Sequence, residues 1–404
     1  MVKQRILPTP GIWSFTVPVN AAAGALLGYM VGSANGAPFT GLLIGALFAG
    51  ALAYVLVEHV SARRTGRLIG AAATALVGVI VAGLPGLVFG ALVGLILSWF
   101  AYWVGLGLYR AGLPSYATMG EVMWHNSYRL ICGLIFFFLI APIVVVIPLS
   151  FNAQDFFTFT PEMLALDPAG YSLKHYQDFF TNPDWTRPLK NSFIIAPMAT
   201  LLAVSFGTLA AIGLSQSHVP GRRAIMVVLI SPMIVPLIIS ATGIFFFYSQ
   251  LGNWMENNLG MSRDLVGYIK VILAHAALGI PFVIITVTAT LVGFDRSLTR
   301  ASASLGAGPV RTFFKVQMPL ILPGVISGAL FAFITSFDEV VVVLFVGSAA
   351  QKTLPWQMFT GLREQISPTI LAVATVLVFF SILLLTTVEF LRRRSERLRG
   401  ITPT

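Results

Sequence analysis

Arg300-Ala-Ser-Ala-Ser-Leu-Gly306-Ala-Gly-Pro-Val-Arg-Thr-Phe-Phe-Lys-Val-Gln-Met-Pro319 is a polar, basic stretch set between two long apolar runs. Leu298, Ala301 and Leu305 recur at i, i+3 and i+7, so they share one stripe of a short helix. Arg296 and Arg300 lie four apart on a neighbouring face. Gly306 suits the left-handed position that ends such a helix, and Pro309 can open the next one in its first turn. The expected local structure is helix, glycine break, helix, joining two membrane spans.

Working outward, the rest of the chain is too apolar for a soluble domain. Of 404 residues, 57% are hydrophobic and only 10% charged, with a mean hydropathy of +0.87. A polytopic membrane protein is the class that accommodates this composition. The apolar runs are continuous rather than alternating, which predicts helices and not a barrel. The expected fold is therefore all-α, a polytopic membrane helical bundle.

Ten spans are expected, at about 12–33, 37–57, 68–84, 86–107, 130–150, 191–214, 224–247, 269–292, 320–343 and 368–391. The pair around Gly83-Leu-Pro-Gly86 also admits a re-entrant reading. With the N-terminus in the cytoplasm, eighteen of the 25 Lys and Arg fall on the cytoplasmic side. That asymmetry predicts both termini inside. It also explains the net charge of +10 without a nucleic-acid partner, because the basic residues sit in short segments between spans. The first span is expected to be retained rather than cleaved as a signal. The Arg392–Arg399 tail is expected to anchor on anionic membrane lipid.

A mixed-polarity linker at 111–128 separates a Gly/Ala-rich four-span extension, 1–110, from a six-span core, 129–404. The extension carries Gly24-x-x-x-Gly28, Gly41-x-x-x-Gly45 and Gly86-x-x-x-Gly90-x-x-x-Gly94. Small residues four apart let helices approach closely, either within this bundle or against a partner subunit. In the core, Pro197, Pro232, Pro236 and Pro281 lie within spans and bend them as kinks or gates. Gly324, Ser327 and Gly328 favour close helix approach.

The 300–319 stretch resembles the cytoplasmic coupling (EAA) loop of bacterial ABC importer permeases. That pattern is Glu-Ala-Ala, three residues, Gly, nine residues, Ile-x-Leu-Pro. Ala301, Gly306 and Pro319 match it, Val316 and Met318 stand in conservatively, Arg300 occupies the glutamate slot and Ser302 replaces the second alanine. Tyr171-Ser-Leu-Lys-His-Tyr-Gln-Asp-Phe-Phe-Thr-Asn-Pro-Asp-Trp185, Asn191-Ser192 and Ser336-Phe-Asp-Glu-Val-Val-Val-Val343 look like the polyamine (spermidine/putrescine) and opine branch. The matches cover roughly 130–391 and leave residues 1–125 untouched. The family permease normally has six spans, so the extension is a departure.

The resemblance implies a permease subunit of an ATP-driven, binding-protein-dependent importer for polyamines or related cationic solutes. Its ATPase-coupling residues would be Leu298, Arg300, Ala301, Ser302, Leu305, Gly306, Val316, Met318 and Pro319, within a loop at 293–319. Its partners would be an ABC ATPase dimer, a second and different permease chain, and an external solute-binding protein docking on the aromatic segment 151–190. The setting would be the bacterial inner membrane.

The residues themselves add two points. The chain lacks Gly-x-x-x-x-Gly-Lys-Ser/Thr, since none of its six lysines follows a glycine, so ATP is expected on a partner and no cofactor in this chain. Asp338 and Glu339 are the acidic pair inside an apolar run, where charge is costly and usually functional. With His275 at similar depth, they are the expected substrate-pathway residues; interfacial or structural pairing is the other reading.

A stand-alone secondary transporter is the alternative function. It would show inverted repeats and a midplane charge, and neither is evident. Scattered histidines and the lone Cys132 give no catalytic or metal-ligating cluster, which argues against an integral-membrane enzyme.

Overall fold

The computed structural model describes residues 10–34, 36–60, 62–114, 116–215, 219–364 and 367–398. Lys3, Arg5 and Arg399 lie outside them. The chain divides into two compact units. The first comprises residues 1–145 with short pieces of 152–172, and the second comprises 173–404 with residues 146–151 and 155–157.

The first unit opens with a helical hairpin, α1 (Val17–Ala34) and α2 (Pro38–His59). A Cβ on Gly24 would sit 2.2 Å from the Gly45 carbonyl oxygen, and one on Gly28 would sit 2.1 Å from that of Gly41. The glycine stripes expected to pack are thus turned on one another. α3 (Arg63–Gly105) folds back on itself at Ala82 and Gly83, where the backbone leaves the helix and Gly83 takes φ +62°. Gly78 meets Gly86, Gly70 meets Ser98 and Gly66 meets the Tyr102 ring, so its arms run antiparallel. The arms, residues 63–81 and 84–105, are about 28 and 33 Å long at 1.5 Å per residue, each enough to cross. Tyr102 hydroxyl donates to the Val60 carbonyl at 2.9 Å. Leu52, Leu56 and Leu97 pack beside it. α4 (Met119–Leu149) follows.

Between spans lie α5 (Pro161–Leu164) and α6 (Lys174–Thr181). Among the described residues one isolated bridge, Asn152 to Tyr171, stands in for β structure. The aromatic segment splits by burial. Phe179 and Trp185 are core residues with Leu354, Ile370 and Val373, whereas Phe156, Phe159 and Phe180 stay exposed.

The second unit is organised around α10 (Arg263–Val292), which packs against α7 (Pro183–Ser215) and α13 (Met318–Phe337). Small residues set these approaches. Gly207 on α7 admits Val283, while Gly324 and Gly328 on α13 admit Thr290 and Thr286. Ala203, Val283, Val287, Ile321 and Ala332 form the buried seam. Pro188 and Pro197 sit inside α7 and Pro281 inside α10 without ending either helix.

Two expected spans are corrected. The run 224–247 is a bent pair, α8 (Arg222–Ile234) and α9 (Leu237–Leu259), meeting at 108°. Pro236 lacks an amide to donate and drives Val235 out of the helical region (φ −70°, ψ 137°). The run 320–343 ends its helix at Phe337. After the break come α14 (Val341–Val346), α15 (Leu354–Glu364) and α16 (Thr369–Leu398). The loop between α10 and α13 holds α11 (Arg296–Ser304) and α12 (Pro309–Thr312). Each of the ten expected spans still falls on helix, α3 supplying two and α8 with α9 one.

Candidate functional site

Residues 293–319 form a closed polar device at one end of the second unit. Asp295 caps α11, its carboxylate accepting the Ser297 amide at 2.8 Å and the Ser297 hydroxyl at 2.6 Å. Those two hydrogen bonds hold the Asp295 carboxyl below the usual carboxylate range. α11 ends in a Schellman motif. Ala307 N–H donates to Ser302 O at 3.1 Å and Gly306 N–H to Ala303 O at 2.9 Å, with Gly306 at φ +81°. Gly308 and Pro309 then open α12.

Ser302 and Thr312 join the two helices through their hydroxyls, 2.9 Å apart, and Thr312 is only 4% exposed. A second alanine at position 302 would leave that bond unmade. Leu298, Leu305 and Val310 point outward, Leu305 at 88% exposure. Arg300, Ala301 and Gly306 are exposed with them. An exposed apolar stripe on a polar loop has the character of an interaction surface. Val316 and Met318 are half-buried, and Met318 packs against the Ala203–Val283–Ile321 seam, tying the loop to the bundle. Pro319 is exposed in the first turn of α13, and the Arg296 side chain lies outside the described residues.

At the other end of α13 the three acidic-pathway residues separate. Asp338 is the C-terminal cap of α13, its N–H donating to Ile334 O at 3.0 Å. Its side chain lines a cleft of about 350 Å³ with Phe333, Phe337 and Phe380. Phe193, Phe337 and Phe380 have ring centres 5.4–5.5 Å apart in every pairing. A carboxylate beside aromatic rings offers an organic cation both an ion pair and a cation–π surface. Glu339 is not part of that cleft. It is 6% exposed, and its carboxylate accepts the Val342 N–H at 2.8 Å, capping α14. His275 is 1% exposed with Nδ1 2.8 Å from Ser336 Oγ, joining α10 to α13 outside the cleft.

Asn191 and Ser192, which the sequence marked only through the branch resemblance, hold the 348–354 segment. Asn191 Nδ2 donates to the carbonyls of Ala350 (2.9 Å) and Lys352 (2.8 Å), and its Oδ1 accepts the Tyr268 hydroxyl at 2.5 Å. Ser192 Oγ accepts the Leu354 amide at 2.9 Å. The partners lie 77 positions away for Tyr268 and about 160 away for the 348–354 segment, so spacing carried no signal for them. The Asp295 cap was not among the expected features, though the sequence holds a signal that would find it: Asp-x-Ser ahead of a helical stripe.

This geometry agrees with what the chain is similar to. A family model for binding-protein-dependent transport system inner membrane components matches residues 203–399. The spermidine/putrescine transport system permease protein PotC of Haemophilus influenzae is 28% identical over 278 residues, 69% of this chain and 100% of the relative. The putrescine transport system permease protein PotI of Escherichia coli K12 is 28% identical over 254 residues, 62% of this chain and 86% of the relative. A crystal structure of a bacterial alginate ABC transporter, in complex with an alginate pentasaccharide-bound periplasmic protein, aligns with TM-score 0.52 at 16% identity. That alignment covers 69% of this chain and 96% of the other, and speaks to fold. The molecule is thus a multi-pass membrane permease with the fold of ABC importer membrane subunits. Its residues 203–399 match the family of binding-protein-dependent transport system inner membrane components, and its two relatives at 28% identity are permeases of that kind.

Proposed function

We propose that this permease carries polyamines or related small organic cations across the bacterial inner membrane, with both termini in the cytoplasm. An ATPase dimer seats on the exposed Leu298–Leu305 stripe, and its closure moves residues 293–319 as a unit. Because the Ser302–Thr312 bond and the Met318 anchor make the loop stiff, that motion passes into α13 and opens the far end of the pathway. A second, different permease chain completes the pathway, and an external solute-binding protein delivers the solute. ATP is bound by the ATPase, and this chain needs no cofactor of its own.

The observation that carries the solute assignment is Asp338 in its cleft with three phenylalanines. A diamine presents a charged end to the carboxylate and its methylene stem to the rings. The names of the curated relatives support the same class.

The test is ATP-driven putrescine uptake by proteoliposomes holding the complete importer. Asp338→Asn is expected to lower uptake about tenfold or more, as loss of a desolvated charge pair does, with ATP hydrolysis retained. Putrescine uptake by Asp338→Asn equal to that of the unaltered importer would remove Asp338 from the pathway, and no ATP-driven putrescine uptake by the unaltered importer would remove polyamines from the assignment.

A further inference from the structure

Asn191 and the segment it clamps border a second, larger groove, of about 910 Å³, at the end of the second unit remote from residues 293–319. Its rim is cationic: Arg187 and Lys190 from α7, and Lys352 from the clamped segment. Lys352 is held twice, by the Asn191 bond to its carbonyl and by its ammonium standing 5.9 Å over the Trp356 ring. Arg187 and Lys190 have no ion pair or side-chain hydrogen bond among the described residues. Asp184 is the one acid among the described residues of the lining.

Below the rim the groove is apolar, with Ile194 and Met198 continuing down α7 and Ile272 down α10. Ile194 and Met198 are 39% and 47% exposed. From Arg187 to Met198 the helix descends about 16 Å. α7 has 33 residues, about 50 Å, longer than the roughly 30 Å hydrocarbon layer. Counting back from Ser215, Met198 falls within that layer, Ile194 at its edge and the cations at headgroup level.

Cations at headgroup level above an apolar channel at acyl depth match an anionic amphiphile. We propose that this groove holds an anionic phospholipid of the leaflet opposite the 293–319 loop. Its phosphate lies among Arg187, Lys190 and Lys352, and one acyl chain runs along Ile194, Met198 and Ile272. An organic dication would be repelled at this rim, so the groove is separate from the Asp338 cleft. The proposal stands whichever solute is carried.

The experiment uses the assembled importer, purified with its partners and stripped of lipid. Native mass spectrometry then follows retention of added dioleoylphosphatidylglycerol against dioleoylphosphatidylcholine. Phosphatidylglycerol is expected to be retained at about tenfold lower concentration or better, given three cations near the headgroup. A triple R187Q/K190Q/K352Q variant should lose the preference while keeping its melting temperature in phosphatidylcholine. Met198→Asn should weaken retention of both lipids and keep the preference. An undiminished preference in the triple variant would overturn the proposal. So would glycerol phosphate protecting the importer as well as whole lipid does, which would mark a soluble-anion site. Loss of binding-protein capture in the triple variant, with lipid preference intact, would instead assign the rim to protein docking.

Discussion

The Ser302 hydroxyl lies 2.9 Å from the Thr312 hydroxyl, and this single contact closes the 293–319 loop across its glycine break. Thr312 is buried and Ser302 half-buried, so water does not readily replace the bond. Ser302→Ala should cost about 1 kcal/mol of local stability. Hydrogen exchange of the amides in 296–312 is expected to speed up several-fold, with the membrane helices unchanged. Equal exchange in both proteins would show that the loop is held by its backbone motif alone.

Gly306 sits at φ +81° with nothing within 4 Å of where a Cβ would stand. The cost of a side chain there is therefore conformational and not steric. Asn tolerates the left-handed region better than Val, so Gly306→Asn should be mild and Gly306→Val should cost about 1–3 kcal/mol. Co-purification of the ATPase from mild detergent is expected to survive in the first and fall sharply in the second. Equal recovery with both variants would remove Gly306 from the coupling assignment.

Asn191 satisfies two carbonyls and one hydroxyl at once. Asn191→Ala leaves buried acceptors unpaired, at about 1–3 kcal/mol. Thermal unfolding is expected at lower temperature, with protease sensitivity appearing first within 348–354. Ser192→Ala, which removes one acceptor from the Leu354 amide, should show a smaller effect of the same kind.

Asp155 and Lys174 form an ion pair of 2.9 Å, and the lysine's hydrogen bond holds the Asp155 carboxyl below its usual range. The folded value lies under the unfolded one, so the contribution is present above the unfolded value, about pH 4. It is lost as pH falls through the folded value. The pair is well exposed, so the effect is small. Melting of the normal protein should fall slightly more than that of Asp155→Asn on acidification below about pH 4. Parallel melting curves would show the pair to be neutral.

Much of this architecture is legible residue by residue. Gly306 and Pro309 announce the loop geometry because each has one conformational use there. The glycine stripes announce close helix pairs because no other residue fits 2 Å from a carbonyl. The prolines are less informative. Pro197 and Pro281 stay in unbroken helices whose neighbours hold them, whereas Pro236 breaks one, and the difference lies in tertiary packing. The end of α13 was missed for a similar reason. Nothing in Ser336-Phe-Asp-Glu-Val marks a stop until Glu339 is seen capping α14. Depth alone put His275 among the pathway groups beside a structural reading, and its bond to Ser336, which joins α10 to α13, is a contact that depth did not announce.

The two helical hairpins of the first unit also set how this region can vary. Facing positions such as Gly24, Gly28, Gly78 and Gly86 stand against backbone, where even one methyl group collides. Positions such as Leu26, Phe39, Leu47 and Ile80 are exposed, and exchange among apolar side chains there leaves the pairing intact. Tolerated sequence drift in residues 17–105 therefore follows a rhythm of about four residues, with fixed positions recurring once per helical turn.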